Sequence, residues 1–374
     1  MPWVGQKRVA FVPVTRGLYN EYPQPPDWRG DIDRRVHFDL DPSKGVDVSL
    51  RNYIQTTSYG RADLVGEVLD VVEVDRVDVE PGDLEPELGP TLRAQGFDAG
   101  ALVMLGGPGA GRASGFWARF VMAEGVGVWA MELTHSIAGF ADLYTYLVPH
   151  DLGSFDNMAC ACGTHPTAYT KSLLGWLDPS AITIDPWPQA QFALHATSLA
   201  QPPPPGRSIA VQTQGSSLPV VVEARVRADQ YDGGNRYNPT GIPSEGVIVY
   251  ELAGVENPAA PPETDPLIAL LTPTALQPGQ SLTSESGITV RVEASITGGF
   301  TVTIQNPTAP VVVPELFEET AASAAAKLQH LGLVANFTGT NTGTSWVASQ
   351  DPQPGTLVLR GSTVTMYLKT GPMP

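Results

Sequence analysis

Residues 128–144 read VWAMELTHSIAGFADLY. Val128, Met131, Leu133, His135 and Ile137 give the segment from about Gly127 to Ala138 a mostly apolar surface, which predicts a helix. Gly139 then breaks it. Working toward the N-terminus, the neighbours alternate in character. Val9 to Val14 reads as a buried strand, Val48 to Gly60 as a short helix with Leu50, Tyr53 and Ile54 on one face, and Ala62 to Val74 as β-rich. Ala99 to Leu105 is another apolar strand, followed by a glycine loop at 106–111 and a helix-prone stretch from Phe116. Mixed strands and helices to about residue 186 predict an α/β or α+β domain.

Toward the C-terminus the pattern changes. Leu218 to Val226, Val247 to Leu252, Ile288 to Ala294 and Phe300 to Ile304 are short apolar runs separated by Gly, Pro, Asn and Ser. Helical periodicity is absent, which predicts an antiparallel β-sandwich over 187–309. Pro202 to Pro205 reads as a rigid surface loop. A linker at 306–314 leads into a third unit, 310–374. There an alanine-rich helix over Glu318 to Leu331 stops at Gly332 and precedes three strand-like pieces, Leu333 to Thr338, Trp346 to Ser349 and Thr356 to Leu368. The expected fold is therefore multidomain α+β: residues 1–186, then 187–309, then 310–374.

At 374 residues the chain is long enough for two or three domains. Charged residues are 16 % and hydrophobic residues 42 %, which argues against wholesale disorder. Acidic residues outnumber basic ones 39 to 22, a net charge of −17. No basic stripe is present, so neither a nucleic acid nor an anionic lipid surface is an expected partner. No apolar run approaches the length of a membrane span, and residues 1–16 contain no apolar stretch suited to a signal peptide. Cys160 and Cys162 are separated by one residue. Neighbours that close rarely form an unstrained disulfide, so no disulfide framework is expected and buried packing is the expected role.

Chemistry concentrates in the opening stretch. Glu132 and His135 stand in an x-E-x-x-H frame. In a zinc peptidase helix, histidines at i and i+4 bind the metal, and a glutamate after the first activates metal-bound water. Here position 131, where the first histidine would stand, is Met, and a thioether suits Cu(I) better than Zn²⁺. Other readings of the same residues are simpler: Met131 as core packing, His135 as a hydrogen-bonded core histidine, Glu132 as a paired buried acid and Asp142 as a turn cap. His150 and His165, the histidines nearest in sequence, are the candidates to replace the missing ligand. The loop at 106–114, GGPGAGRAS, lacks the lysine of a phosphate-binding loop. No Gly-x-Ser-x-Gly elbow supports a serine hydrolase.

Glu132, His135, Gly139, Asp142, Leu143 and Tyr144 match, in order, the active-site segment of the immune-inhibitor-A-type metallopeptidases, a family of secreted zincins that this chain resembles over about residues 8–307. Downstream, Met158 stands where that family has a turn methionine. Thr170, Lys171, Leu174, Gly175, Trp176 and Leu177 match its following motif. Val222 to Arg225 (VEAR), Tyr231-Asp232 and residues 241–250 (GIPSEGVIVY) resemble its β-sandwich. The resemblance implies a zincin-like first domain with Glu132 as general base, and His135 and Asp142 as zinc ligands. Two departures stand against it: Met131, and a spacing from His135 to Asp142 one residue longer than the family's. Three readings follow. One is a pseudo-metallopeptidase that binds without cutting. The other is a working zinc metalloendopeptidase with a non-standard ligand set and a protein substrate. A third is a purely structural module of a larger assembly.

The C-terminal unit resembles a PASTA domain. The matching features are VVVP at 311–314, Leu331-Gly332-Leu333-Val334, Val347 to Pro352, Pro354-Gly355-Thr356 and Arg360 to Val364. This resemblance implies a helix packed on a three-stranded sheet, and peptidoglycan or another surface polymer as partner. Taken together, the two resemblances imply an extracellular, cell-surface or virion protein acting by attachment.

Overall fold

The computed structural model describes residues 2–17, 25–76, 78–107, 110–144, 152–199, 201–215, 218–252, 268–272 and 274–371. Its organising strand is β1 (Gly5–Thr15), hydrogen-bonded in parallel to β4 (Ala62–Val68) on one side and β6 (Ala99–Met104) on the other. Between them in sequence lie α1 (Trp28–His37), the short hairpin β2 (Leu40–Asp41) and β3 (Val46–Asp47), α2 (Leu50–Thr57), β5 (Val72–Glu73) and α3 (Glu85–Ala94). Beyond β6 come β8 (Trp117–Val121), parallel to it, and the antiparallel edge strand β7 (Arg112–Ser114). The order is β4-β1-β6-β8-β7, with β5 pairing on the end of β1.

The centre of β1 is apolar without alternation because both faces of the sheet are covered. Val9 and Phe11 face a core shared with α1, α2 and α4 (Val126–Ala138). Ala10, Val12 and Val14 face a second core with Leu92 of α3. The helix expected from Phe116 is instead β8. Its five residues WARFV are all buried, with Ala118 and Phe120 in the first core and Trp117 and Val121 in the second. A two-sided burial pattern needs no period, and so resembles a buried helix in sequence. Helix α4 docks on the sheet through Trp129, whose ring stacks on Phe120 at 4.3 Å between centroids and on Phe11 at 6.1 Å. It ends at Gly139, which adopts φ +65° as a left-handed cap.

Past α4 come α5 (Asn157–Cys160) and α6 (Ala168–Leu173), then two sheets. One contains β9 (Ile182–Asp185), β11 (Ala210–Thr213), β12 (Val220–Arg225), β13 (Gly246–Leu252) and β14 (Ile268–Leu270), in the order β14-β13-β12-β11-β9. It is antiparallel except at one edge, where β9 runs parallel to β11. The other contains β10 (Gln189–His195), β15 (Ser281–Thr283), β16 (Thr289–Ile296) and β17 (Gly299–Gln305), in the order β10-β17-β16-β15. Val211, Val220, Val222, Val247 and Val249 face the second sheet and make a sandwich core with Val290, Val292, Val302 and Ile304. Their neighbours Ala210, Val221, Ile248 and Tyr250 face the opposite way, into a core with Met131 of α4, Leu143, Phe155 and Met158. The five-stranded sheet is thus the layer through which the sandwich and the N-terminal unit pack.

The last unit contains β18 (Val311–Val312), α7 (Ala321–His330), β19 (Val334–Thr338), β20 (Ser345–Asp351), β21 (Leu357–Val358) and β22 (Thr363–Thr370). Thr320 caps α7 by accepting from the Ser323 N–H. The helix packs Ala321, Ala324 and Leu328 on the sheet β19-β22-β20, and β18 pairs with β21. This core is drawn entirely from residues 311–368. No helix among the described residues is long and apolar enough to cross a membrane.

Candidate functional site

The exposed flank of α4 borders a cleft of about 520 Å³ lined by Glu80, Arg112, Glu132, His135, Asp142 and Tyr144, among others. Glu132 and His135 are one helical turn apart, so they share a face. After Gly139 the chain folds back over the end of α4. It brings Asp142 Oδ1 to 2.9 Å from His135 Nε2 and the Phe140 carbonyl to His135 Nδ1. Both ring nitrogens are therefore engaged. Burial alone would lower the His135 pKa, but the contact with Asp142 and the bond to the Phe140 carbonyl outweigh it and raise the pKa.

Glu132 is only 7 % exposed. Burial pushes its carboxyl up to about 7; nearby His135 opposes the shift and the Asp142 charge adds to it. Across the cleft, Gly111 just precedes β7. A Cβ there would stand 2.4 Å from Glu132 Oε1 and 2.7 Å from Val128 Cγ1, so only glycine lets that backbone lie against the carboxylate. Arg112 pairs with Glu80 at the mouth.

Met131 is 3 % exposed and lies in the core shared with Leu143, Phe155 and Met158, not in the cleft. His135 and Asp142 stand against each other, 2.9 Å apart, the first ligand position is a buried thioether, and among the described residues no three His, Cys, Asp or Glu side chains converge to hold a metal. These residues do not fit a three-ligand catalytic zinc site. His150 lies outside the described residues. His165 is remote from such a role: its Nε2 is 2.6 Å from Asp229 Oδ2, and its Nδ1 is 2.9 Å from Lys171 Nζ.

Cys160 and Cys162 form a disulfide, contrary to the expectation from their spacing. Ala161 between them adopts φ +53°, and this left-handed residue turns the chain at the end of α5 so that the Cα atoms stand 5.1 Å apart and the two sulfurs meet. The turn lies under the start of α4. A Cβ on Gly127 would meet the Ala161 carbonyl at 2.3 Å.

The residues of the downstream motif build a buried polar junction. Arg225 forks onto Asp232, with Nη2 at 2.9 Å from both oxygens, and also donates to the Phe155 and His165 carbonyls. Lys171, fully buried, donates to Tyr59 Oη at 2.9 Å and to the Thr197 carbonyl at 3.1 Å, and its pKa is lowered to about 7, chiefly by burial. Glu223 accepts from the Ala168 N–H and Tyr250 Oη. Asp229 and Tyr59 were not singled out from sequence, because their partners lie 64 and 112 residues away.

Comparison with known families places one part of the chain. The family model described as PASTA domain matches residues 311–370. Residues 311–370 are a PASTA domain. The match spans the unit whose core is self-contained, from the VVVP strand through β22. PASTA domains commonly bind peptidoglycan or related cell-wall material and are typical of extracellular or cell-surface proteins. No curated protein matches the chain.

Proposed function

We propose that this protein is an attachment protein of the cell surface or of a virion. In this reading its PASTA domain holds peptidoglycan or a similar wall polymer, and its first 309 residues form a metallopeptidase-like scaffold that binds without cutting. What carries the second half of this reading is the fold-back after Gly139: it occupies both nitrogens of His135 while Met131 is sealed into the core. Without a metal, Glu132 has no bound water to activate, and a carboxyl pushed up to about 7 is partly protonated near neutrality. It can then donate a hydrogen bond as well as accept one. The edge strand β7 beside it offers unpaired backbone groups, which suits capture of an extended peptide by strand addition. The Cys160–Cys162 disulfide is compatible with an oxidising compartment.

Two measurements test this. Metal content per chain, by plasma mass spectrometry on protein purified without chelator or affinity-tag metal, is expected to show no zinc even after zinc is supplied. About one zinc per chain would overturn the non-cutting reading and favour the peptidase. Co-sedimentation with purified peptidoglycan is expected to retain the chain, and to lose it on Leu328→Asp, which places a charge in the PASTA core. Equal retention of the variant would remove the PASTA domain from the binding.

A further inference from the structure

A second cavity, of about 510 Å³, opens where the N-terminal unit meets the sandwich, well away from Glu132. Its walls come from four places: Tyr59 and Arg61 after α2, residues 176–183 around Asp178 and Ser180, the loop Gln201–Pro203, and Arg207–Ser208. Its polar groups divide into two kinds. Arg61 makes no ion pair or side-chain hydrogen bond among the described residues, and Arg207 gives one N–H to the Thr297 carbonyl and has no carboxylate partner among them. The one acid in the wall, Asp178, caps the turn, its Oδ1 accepting from Ser180 N and Oγ at 2.9 and 2.7 Å, and it also feels the positive charge of Arg61. Two guanidinium groups against one carboxylate leave this wall with an excess of positive charge in a chain of net charge −17. The remaining polar groups are hydroxyls and an amide: Ser180, Thr183, Ser208 and Gln201. The Pro202 and Pro203 rings and Tyr59 supply flat apolar faces.

The wall is built firmly. Tyr59 adopts φ +57°, a costly conformation for a bulky residue. Its hydroxyl donates to the Thr197 carbonyl and accepts from Lys171, and Lys171 Nζ lies 4.1 Å from the ring centroid. These contacts fix the ring at the cavity's edge.

From this arrangement we infer that the cavity is a binding site for an acidic saccharide. The sugar carboxylate would sit between Arg61 and Arg207, its hydroxyls against Ser180, Thr183, Gln201 and Ser208, and a C–H face on the proline and tyrosine rings. Guanidinium groups match a carboxylate in charge and geometry, whereas a neutral sugar would leave the wall's excess positive charge uncompensated. This site is independent of the PASTA domain and of the Glu132 cleft.

Isothermal titration calorimetry on the full chain tests it, with trigalacturonate as probe and maltotriose, triglutamate and inorganic phosphate as comparisons. Trigalacturonate is expected to bind, and maltotriose to bind at least about tenfold more weakly, since a charge-assisted bond is worth a factor of about ten or more. Arg61→Gln and Arg207→Gln should each weaken trigalacturonate by about tenfold. Arg61 is exposed and without side-chain partners among the described residues, so Arg61→Gln alone keeps the test valid should Arg207→Gln misfold. Absence of trigalacturonate binding would overturn the inference. So would binding unchanged in Arg61→Gln, which would place the probe elsewhere, for instance on the PASTA domain. Equal, Arg61-dependent binding of triglutamate or phosphate would reduce the cavity to a general anion site and overturn the saccharide assignment.

Discussion

Replacing Glu132 by Gln should stabilise the protein, and only above a particular pH. In the folded chain burial raises the Glu132 carboxyl from 4.5 to about 7. Between these values the folded state holds a proton that the unfolded state has released. Stability contributed by this group is therefore full below about pH 4.5 and falls as pH rises toward 7. Each pH unit of displacement is worth about 1.4 kcal/mol, so the ionised carboxylate costs the native state about 3 kcal/mol above pH 7. Glutamine has the same shape and no charge. Urea unfolding should find Glu132→Gln and the parent equal near pH 4, with the variant ahead by about 2–3 kcal/mol at pH 8. Tryptophan fluorescence suits the assay because Trp117 and Trp129 are buried in the two cores of the N-terminal sheet. The difference between variant and parent cancels the titration of groups that the substitution leaves alone. A difference that does not change with pH would refute the reasoning, because it would mean that the Glu132 carboxyl has the same pKa in the native and unfolded states.

Three further outcomes follow from the same geometry. Asp142→Asn removes the anion that raises His135; the His135 pKa, followed by the NMR shift of its ring C–H, should drop. Since a raised histidine stabilises below its unfolded value and loses that contribution as pH rises through its folded value, Asp142→Asn should cost more stability at pH 5 than at pH 9. Arg225→Met leaves Asp232 and two carbonyls buried without their donor and should cost about 3–5 kcal/mol in urea unfolding. The double variant Cys160→Ser, Cys162→Ser should cost only about 1–2 kcal/mol, because the bridge closes a very short loop.

The elements read correctly from sequence are those whose signal is local. Helix α4 carries its own apolar surface and its own glycine stop, and it is found at Val126–Ala138. The apolar runs of the sandwich and the helix-then-strands order of the PASTA domain are equally local. What misled the reading was β8. A five-residue run of apolar and aromatic side chains around one arginine has no period, and only the sheet on either side of it makes it a strand. The disulfide was missed for a related reason. Whether two cysteines one residue apart can meet depends on the backbone of the residue between them, and Ala161 does not advertise a positive φ as glycine would. In the cleft, Glu132, His135 and Asp142 were visible because they lie within one segment. Gly111, Arg112 and Glu80 were not, because they arrive from the opposite side of the fold.

The same limit bears on Met131. From sequence it is a ligand position filled by a poor ligand. In the fold, Met131 and His135 stand one turn apart on α4, yet they meet opposite surroundings because a single segment, Phe140 to Leu143, returns over both. The Phe140 carbonyl and Asp142 satisfy the histidine, while Leu143, held by its N–H to the Met158 carbonyl at 2.9 Å, joins the core around Met131. An apolar side chain at 131 therefore belongs to the packing of α4 against the five-stranded sheet. The segment that holds Asp142 against His135 is the same one that seals Met131. The methionine and the histidine–aspartate contact are thus one feature, and this coupling is what supports the proposal that the cleft binds without cutting.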